Sequence, residues 1–307
     1  MPDTRPTTAE RRARAASRPG QGDVDSFGLT HPGLVRERNE DQFLIASVHK
    51  LMQVHQSSLD HQALGDAVSD SHGFLFLVAD GVGGLPGGQE ASSAALRAVV
   101  DYVTFTMRLY YHSDAEHESR FLEELERSVL RSHSAVRAEG DRIGLPGGLA
   151  TTLTMVAVIW PTAYLIHVGD SRCYRLRDGT LTQISRDQTM AAALVEAGVL
   201  TPQDAERSGL RHMLASVLGA GTAEPMTASS EIQWDDQLLL CSDGLTKHVN
   251  DEEIASVLKH EPTAERCCRE LVRLALERGG TDNVTVVVSR LKRDVRHGTT
   301  REAPRPW

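Results

Sequence analysis

Two strongly apolar segments of this chain end on an aspartate followed at once by glycine. "GFLFLVADG" runs over 73–81 and "QLLLCSDG" over 237–244. An unbroken apolar run of this length predicts a strand buried on both faces, here Phe74–Ala79 and Leu238–Cys241. A carboxylate at the end of such a strand is costly to bury unless something compensates it. Three more aspartates repeat the pattern. Asp170 follows Tyr164–Val168, Asp282 precedes Val284–Val288, and Asp41 opens Phe43–Ala46. Strands of one sheet end near one another, so these five carboxylates can converge. A divalent cation removes their repulsion, and an all-oxygen set favours magnesium or manganese. Asp-Gly is also a common hairpin turn. However, no strand follows within two residues of Asp80–Gly81 or Asp243–Gly244, and the second pair leads through "LTKHVNDEEI" into a helical pattern.

Composition limits the alternatives. The 307 residues carry a net charge of -9, with 40% hydrophobic and 24% charged residues, which fits a soluble globular domain. The acidic balance argues against a nucleic-acid partner, which would require a basic face. Cys173, Cys241, Cys267 and Cys268 show no CxxC spacing, so neither a disulfide framework nor a zinc site is expected, and a cytoplasmic location fits. No apolar run approaches the roughly 20 residues of a membrane span. The arginine-rich segment 1–23 reads as a disordered basic arm, 24–292 as one domain, and 293–307 as a disordered tail.

The order of elements points to an α+β fold. Short strands flank an arginine-rich turn near residue 36. The polar insertion 48–72 is read as a loop that could include a helix near Lys50–Leu64. Helical spacing follows over Gly88–Tyr111 and again over Phe121–Val136. Hairpins punctuated by Pro161 and Asp178–Gly179, short helices over 188–225, helices near 251–259 and 263–278, and a final strand complete the domain. This is a layered, mostly antiparallel pattern rather than a doubly wound one. The recurrence of "GLPGG" at 84–88 and 144–148 is too short to mark a repeat.

"GLVRERNEDQF" adds Arg36, whose planar fork suits phosphate oxygens, close to Glu40 and Asp41. Together, "RERNED", "VADGVGG", "VGDSRCYRL", "CSDGLT" and "GGTDNVTVVV", in this order, resemble the metal-dependent serine/threonine protein phosphatases of the PP2C type, bacterial branch. The resemblance covers about residues 24–292. It implies an α/β sandwich of two central antiparallel sheets flanked by helix pairs. It also implies two to three Mn2+ or Mg2+ ions. Asp80 would bridge two of them, with the Gly81 carbonyl on one, Asp243 and Asp282 completing one site, and Glu40 on the other. Asp170 would help hold a third ion, Asp41 would orient the attacking water, Arg36 would clamp the phosphate, and Asn283 would lie just behind these groups.

The implied reaction is hydrolysis of phosphoserine or phosphothreonine without a covalent intermediate. The implied partners are phosphoprotein substrates and a cognate serine/threonine kinase, with the chain a monomer. Two departures stand out. Val82 replaces a histidine frequent in eukaryotic members, removing a candidate general acid, and Gln188 replaces another common histidine.

Overall fold

The computed structural model describes residues 19–48, 52–58, 73–82, 87–107, 115–145 and 148–292. Eleven strands lie among them: β1 (Val24–His31), β2 (Asp41–Val48), β3 (Met52–Ser57), β4 (Gly73–Asp80), β5 (Leu153–Ile159), β6 (Thr162–Val168), β7 (Arg172–Arg177), β8 (Thr180–Gln183), β9 (Met226–Glu231), β10 (Gln237–Cys241) and β11 (Val284–Leu291). They form a five-stranded sheet in the order β1-β11-β10-β7-β8 and a six-stranded sheet in the order β3-β2-β4-β5-β6-β9, with every pairing antiparallel.

Strand alternation builds a sandwich from these sheets. In β4, Phe74, Phe76 and Val78 point between the sheets, where they meet Phe43, Ile45, Leu238, Leu240 and Val287. Leu75, Leu77 and Ala79 point outward, against α1 (Gly88–Met107) and α2 (Ala115–Arg142). On the far side, Leu239, Cys241, Val286 and Val288 pack against α6 (Asp251–His260) and α7 (Ala264–Glu277). The period-2 pattern therefore serves two apolar layers at once, so β4 reads as a continuous apolar run. Its five large side chains, each 7% exposed or less, contribute on the order of 10 kcal/mol of burial before ordering entropy is set against it.

The elements follow the sequence closely. Asn250 and Glu253 form a reciprocal capping box that starts α6, and Thr263 caps α7. Asp178 and Gly179 both take positive φ, 48° and 75°, as a tight turn between β7 and β8 requires. Within 188–225 lie α3 (Met190–Glu196), capped by Thr189, and α4 (Pro202–Arg207), capped by Thr201.

One expectation needs correction. The described part of the 48–72 insertion contains no helix: Met52–Ser57 is strand β3, paired with β2 across a register shift at Ile45/Ala46. Pairing to an exposed sheet edge determines its conformation, and the Gln56 side chain ties it to β1 by bonding both backbone groups of Gly28. Residues 59–72, like most of the two terminal arms, lie outside the described residues.

Candidate active site

The two sheets meet at one end, where the strand-end carboxylates gather. Asp41 and Asp80 are register partners across β2 and β4. The Gly169–Ser171 segment crosses from β6 in one sheet to β7 in the other, carrying Asp170 with it. Asp243 opens the single helical turn α5 (Asp243–Thr246) directly after β10, and Asp282 lies just before β11. The sheets are joined where Ser242 Oγ donates to Asp41 Oδ2 at 2.7 Å and accepts the Thr285 N–H at 2.9 Å.

Charge is distributed unevenly in this cluster. Burial pushes the Asp80 carboxyl far above the usual range, and Asp41, Asp243, Asp170 and Asp282 add repulsion. Burial also lifts Asp41 to about 6, against the opposing Thr285 and Ser242 hydroxyls, and geometrically Asp41 Oδ1 is buried without a hydrogen-bond partner. Asp170 rises to about 7, through burial and then the charges of Asp243 and Asp187. Glu40 is raised by burial, while Arg36 and the Gly88 N–H at the start of α1 pull it back.

Asp282 behaves differently. Burial acts on it too, but Arg36 and Lys247 prevail and hold its carboxyl below the usual value. Arg36 grips it with both arms of its fork, Nε to Oδ1 at 2.8 Å and one terminal nitrogen to Oδ2 at 3.1 Å. Lys247 Nζ lies 2.8 Å from Asp282 Oδ2 and 2.7 Å from Asp243 Oδ2.

The glycines beside the aspartates are there for space. Neither Gly81 nor Gly244 has positive φ. A Cβ on Gly81 would lie 2.4 Å from the Gly88 carbonyl oxygen, and one on Gly244 would lie 1.9 Å from the Asn283 carbonyl oxygen. Gly88 likewise leaves room for the Glu40 carboxyl, 2.7 Å from where its Cβ would sit. Close backbone approach is what both positions require.

Asn283 organises the loop that carries Arg36. Its Nδ2 donates to the carbonyls of Pro32 and Arg38 at 2.9 and 2.8 Å, and its Oδ1 accepts the Glu40 N–H at 2.8 Å. Gln188 has a comparable role: it accepts the Gly169 N–H next to Asp170 and donates to the Glu224 carbonyl. Val82 continues the backbone, donating its N–H to Ala150.

The donor set fits hard divalent cations. Every group is an oxygen, four aspartates raise the pKa of Asp80, and one buried Asp41 oxygen is orphaned. Among the described residues, no three such groups already stand in a coordination shell. Asp282 is turned toward Arg36 and Lys247 instead. Lys247 is the residue that sequence reasoning missed; its only sequence signal was a position four residues after Asp243 at a helix start. All four cysteines are free and buried, and burial raises Cys241 to about 12 and Cys267 to about 11, so they stay protonated.

A family model described as Protein phosphatase 2C matches residues 54–279. The chain belongs to the protein phosphatase 2C family. The serine/threonine protein phosphatase PstP of Mycobacterium tuberculosis is 38% identical over 215 residues, 70% of this chain and 40% of that relative's length. The serine/threonine phosphatase stp of Listeria monocytogenes is 31% identical over 217 residues, covering 83% of that relative. A crystal structure of the PstP catalytic domain in complex with 2 manganese ions superposes with a TM-score of 0.66 at 30% identity, over 88% of this chain and 99% of that one. Among the described residues of the chain, no helix is long and apolar enough to cross a membrane.

Proposed function

We propose that this chain hydrolyses phosphoserine and phosphothreonine in proteins, using two Mn2+ or Mg2+ ions held by Asp80, the Gly81 carbonyl, Glu40, Asp243 and Asp282. The observation that carries this reading is the gathering of five strand-end aspartates at one end of the two-sheet sandwich, with Asp80 repelled by the other four. Membership in the family, and the two manganese ions in the PstP catalytic domain, support it. When bound, the ions supply a water of lowered pKa and positive charge for the phosphoryl oxygens.

The chain's own residues do the rest. Arg36 is 40% exposed and can turn its fork from Asp282 to the phosphoryl oxygens, matching them two at a time. Asn283 holds the Arg36 loop in place from both sides, through the Pro32 and Arg38 carbonyls. Asp41, held by Ser242, accepts a hydrogen bond from the attacking water and orients it in line with the leaving oxygen. No cysteine takes part.

The natural partners on this reading are phosphoproteins, the kinase that makes them, and no second copy of the chain; a cytoplasmic setting is consistent with it. Phosphate release from a phosphothreonine peptide tests the proposal. It should require Mn2+ or Mg2+ and stop with excess chelator. Turnover unaffected by chelator, or none with any divalent ion from folded protein, would overturn it.

A further inference from the structure

Hydroxyl groups of the five-stranded sheet converge on Asp41 from across the sandwich. Side chains alternate along a strand, so residues two apart share a face. On β2, Phe43 points between the sheets, and Asp41 points the same way. On β11, Val287 points between the sheets, and so does Thr285, which is fully buried. On β1, a Cβ on Gly28 would lie 2.4 Å from the Phe43 ring, so Thr30 faces β2 as well. Thr30 and Thr285 are register partners, and their hydroxyl oxygens are 2.7 Å apart.

The bonds have a fixed direction at one end. The Asp41 N–H can only donate, so the Asn39 atom 3.2 Å away is its amide oxygen. The Asn39 amide nitrogen then faces Thr30 and donates to its Oγ1 at 2.7 Å. At the other end, burial raises the Asp41 carboxyl, and the Thr285 and Ser242 hydroxyls oppose it. Ser242 bonds Oδ2 at 2.7 Å, while Oδ1 is left without a bond. Resting on the hydrolytic reading above, we propose that Thr30 and Thr285 are positioning residues for Asp41: a one-way line from Asn39 through Thr30 to Thr285 keeps its carboxyl an acceptor and leaves Oδ1 for the attacking water. A hydroxyl has a single proton to give. Thr30 gives its proton to Thr285, and the Thr285 proton is thereby left for Asp41.

The test is steady-state turnover of a phosphothreonine peptide by the full chain with Mn2+, alongside Mn2+ affinity by calorimetry and the melting temperature. Thr285→Val keeps the side-chain shape and the backbone N–H that Ser242 accepts. It should lower kcat about tenfold or more, the worth of one hydrogen bond to a charged group, with KM and Mn2+ affinity within about twofold of wild type. Thr30→Val should lower kcat about threefold, the worth of a neutral hydrogen bond. Thr285→Ser and Thr30→Ser should each recover most of the loss. Because Thr30 acts through Thr285, the double valine variant should be no slower than Thr285→Val alone. Residues that only braced the fold would lower the melting temperature without a loss confined to kcat. Thr30 is only partly buried, so its variants test the line even where Thr285 tolerates no change. Unchanged kcat in either valine variant, or losses that multiply in the double variant, would overturn the inference and leave the hydrolytic reading standing. Wild type without metal-dependent turnover would overturn the reading itself.

Discussion

The two sheets deliver the same chemical group to the same place under opposite conditions. From the six-stranded sheet come Asp80 and Asp41, buried and shifted toward protonation, with Asp80 repelled by Asp41 and one Asp41 oxygen left unpaired. From the five-stranded sheet come Asp243 and Asp282, the second fixed by Arg36 and both by Lys247. One half of the centre is uncompensated, and the other carries its own cations. The half that lacks a counter-charge is the half that most needs an ion. A buried carboxylate kept without a partner is a standing cost to the fold. At a strand end shared by two sheets, that cost is the mark of a site.

The largest effect should come from the uncompensated half. Asp80→Asn should lower phosphopeptide turnover by about a thousandfold or more, the scale of several kcal/mol of metal chemistry. The same change should raise the melting temperature of the metal-free protein, because it removes a buried repelled charge. A variant that is both inactive and less stable without metal would break the comparison. Next comes Arg36→Ala, which should raise KM by roughly 10–100-fold, the worth of one charge-assisted bidentate contact, with a smaller change in kcat. An unchanged KM would leave Arg36 as the partner of Asp282 and nothing more.

A pH effect sharpens the contrast. Asp41 and Asp170 have folded-state pKa values of about 6 and about 7, above the roughly 3.9 of an unfolded aspartate. A raised carboxyl pKa means that the folded state binds the extra proton. Its stabilising contribution is complete below about pH 4 and is lost as pH rises through 6 and 7. Metal-free protein should therefore lose melting temperature from these groups across that window, and Mn2+ should flatten the loss. Asp282 has the opposite sign: held low by Arg36 and Lys247, it contributes above the unfolded pKa and is lost only in acid. Asp170→Asn should remove part of the loss and Asp282→Asn none of it, as thermal melts at stepped pH would reveal. The smallest effect should be Asn283→Ala. It breaks three bonds of the Arg36 loop and should raise KM severalfold, while a conservative Asn283→Ser recovers part of the loss.

The sequence made the centre legible where burial and chemistry coincide in one short run. "FLFLVAD" and "LLLCSD" announce both the strand and its anomalous end, and five such ends in order imply convergence. β3 was not legible, because "MQVHQS" has no strong apolar run and its conformation comes from pairing with β2 across a bulge. The reason for Gly81 and Gly244 was legible only in part. Their position is evident, but the clash each avoids is with the backbone of Gly88, beyond the following loop, or of Asn283, on a separate strand end. Lys247 was hidden for a similar reason: an i,i+4 spacing predicts contact with Asp243, while contact with Asp282 depends on β10 and β11 lying side by side. Asn283 was placed behind the reacting groups only by the family resemblance, and its side chain braces the Arg36 loop.

The most direct test of the central claim is anomalous diffraction at the manganese edge from crystals of the full chain grown with Mn2+. The account predicts two peaks, both within coordination distance of Asp80. Peaks away from the meeting point of the two sheets, or none at saturating Mn2+, would contradict it.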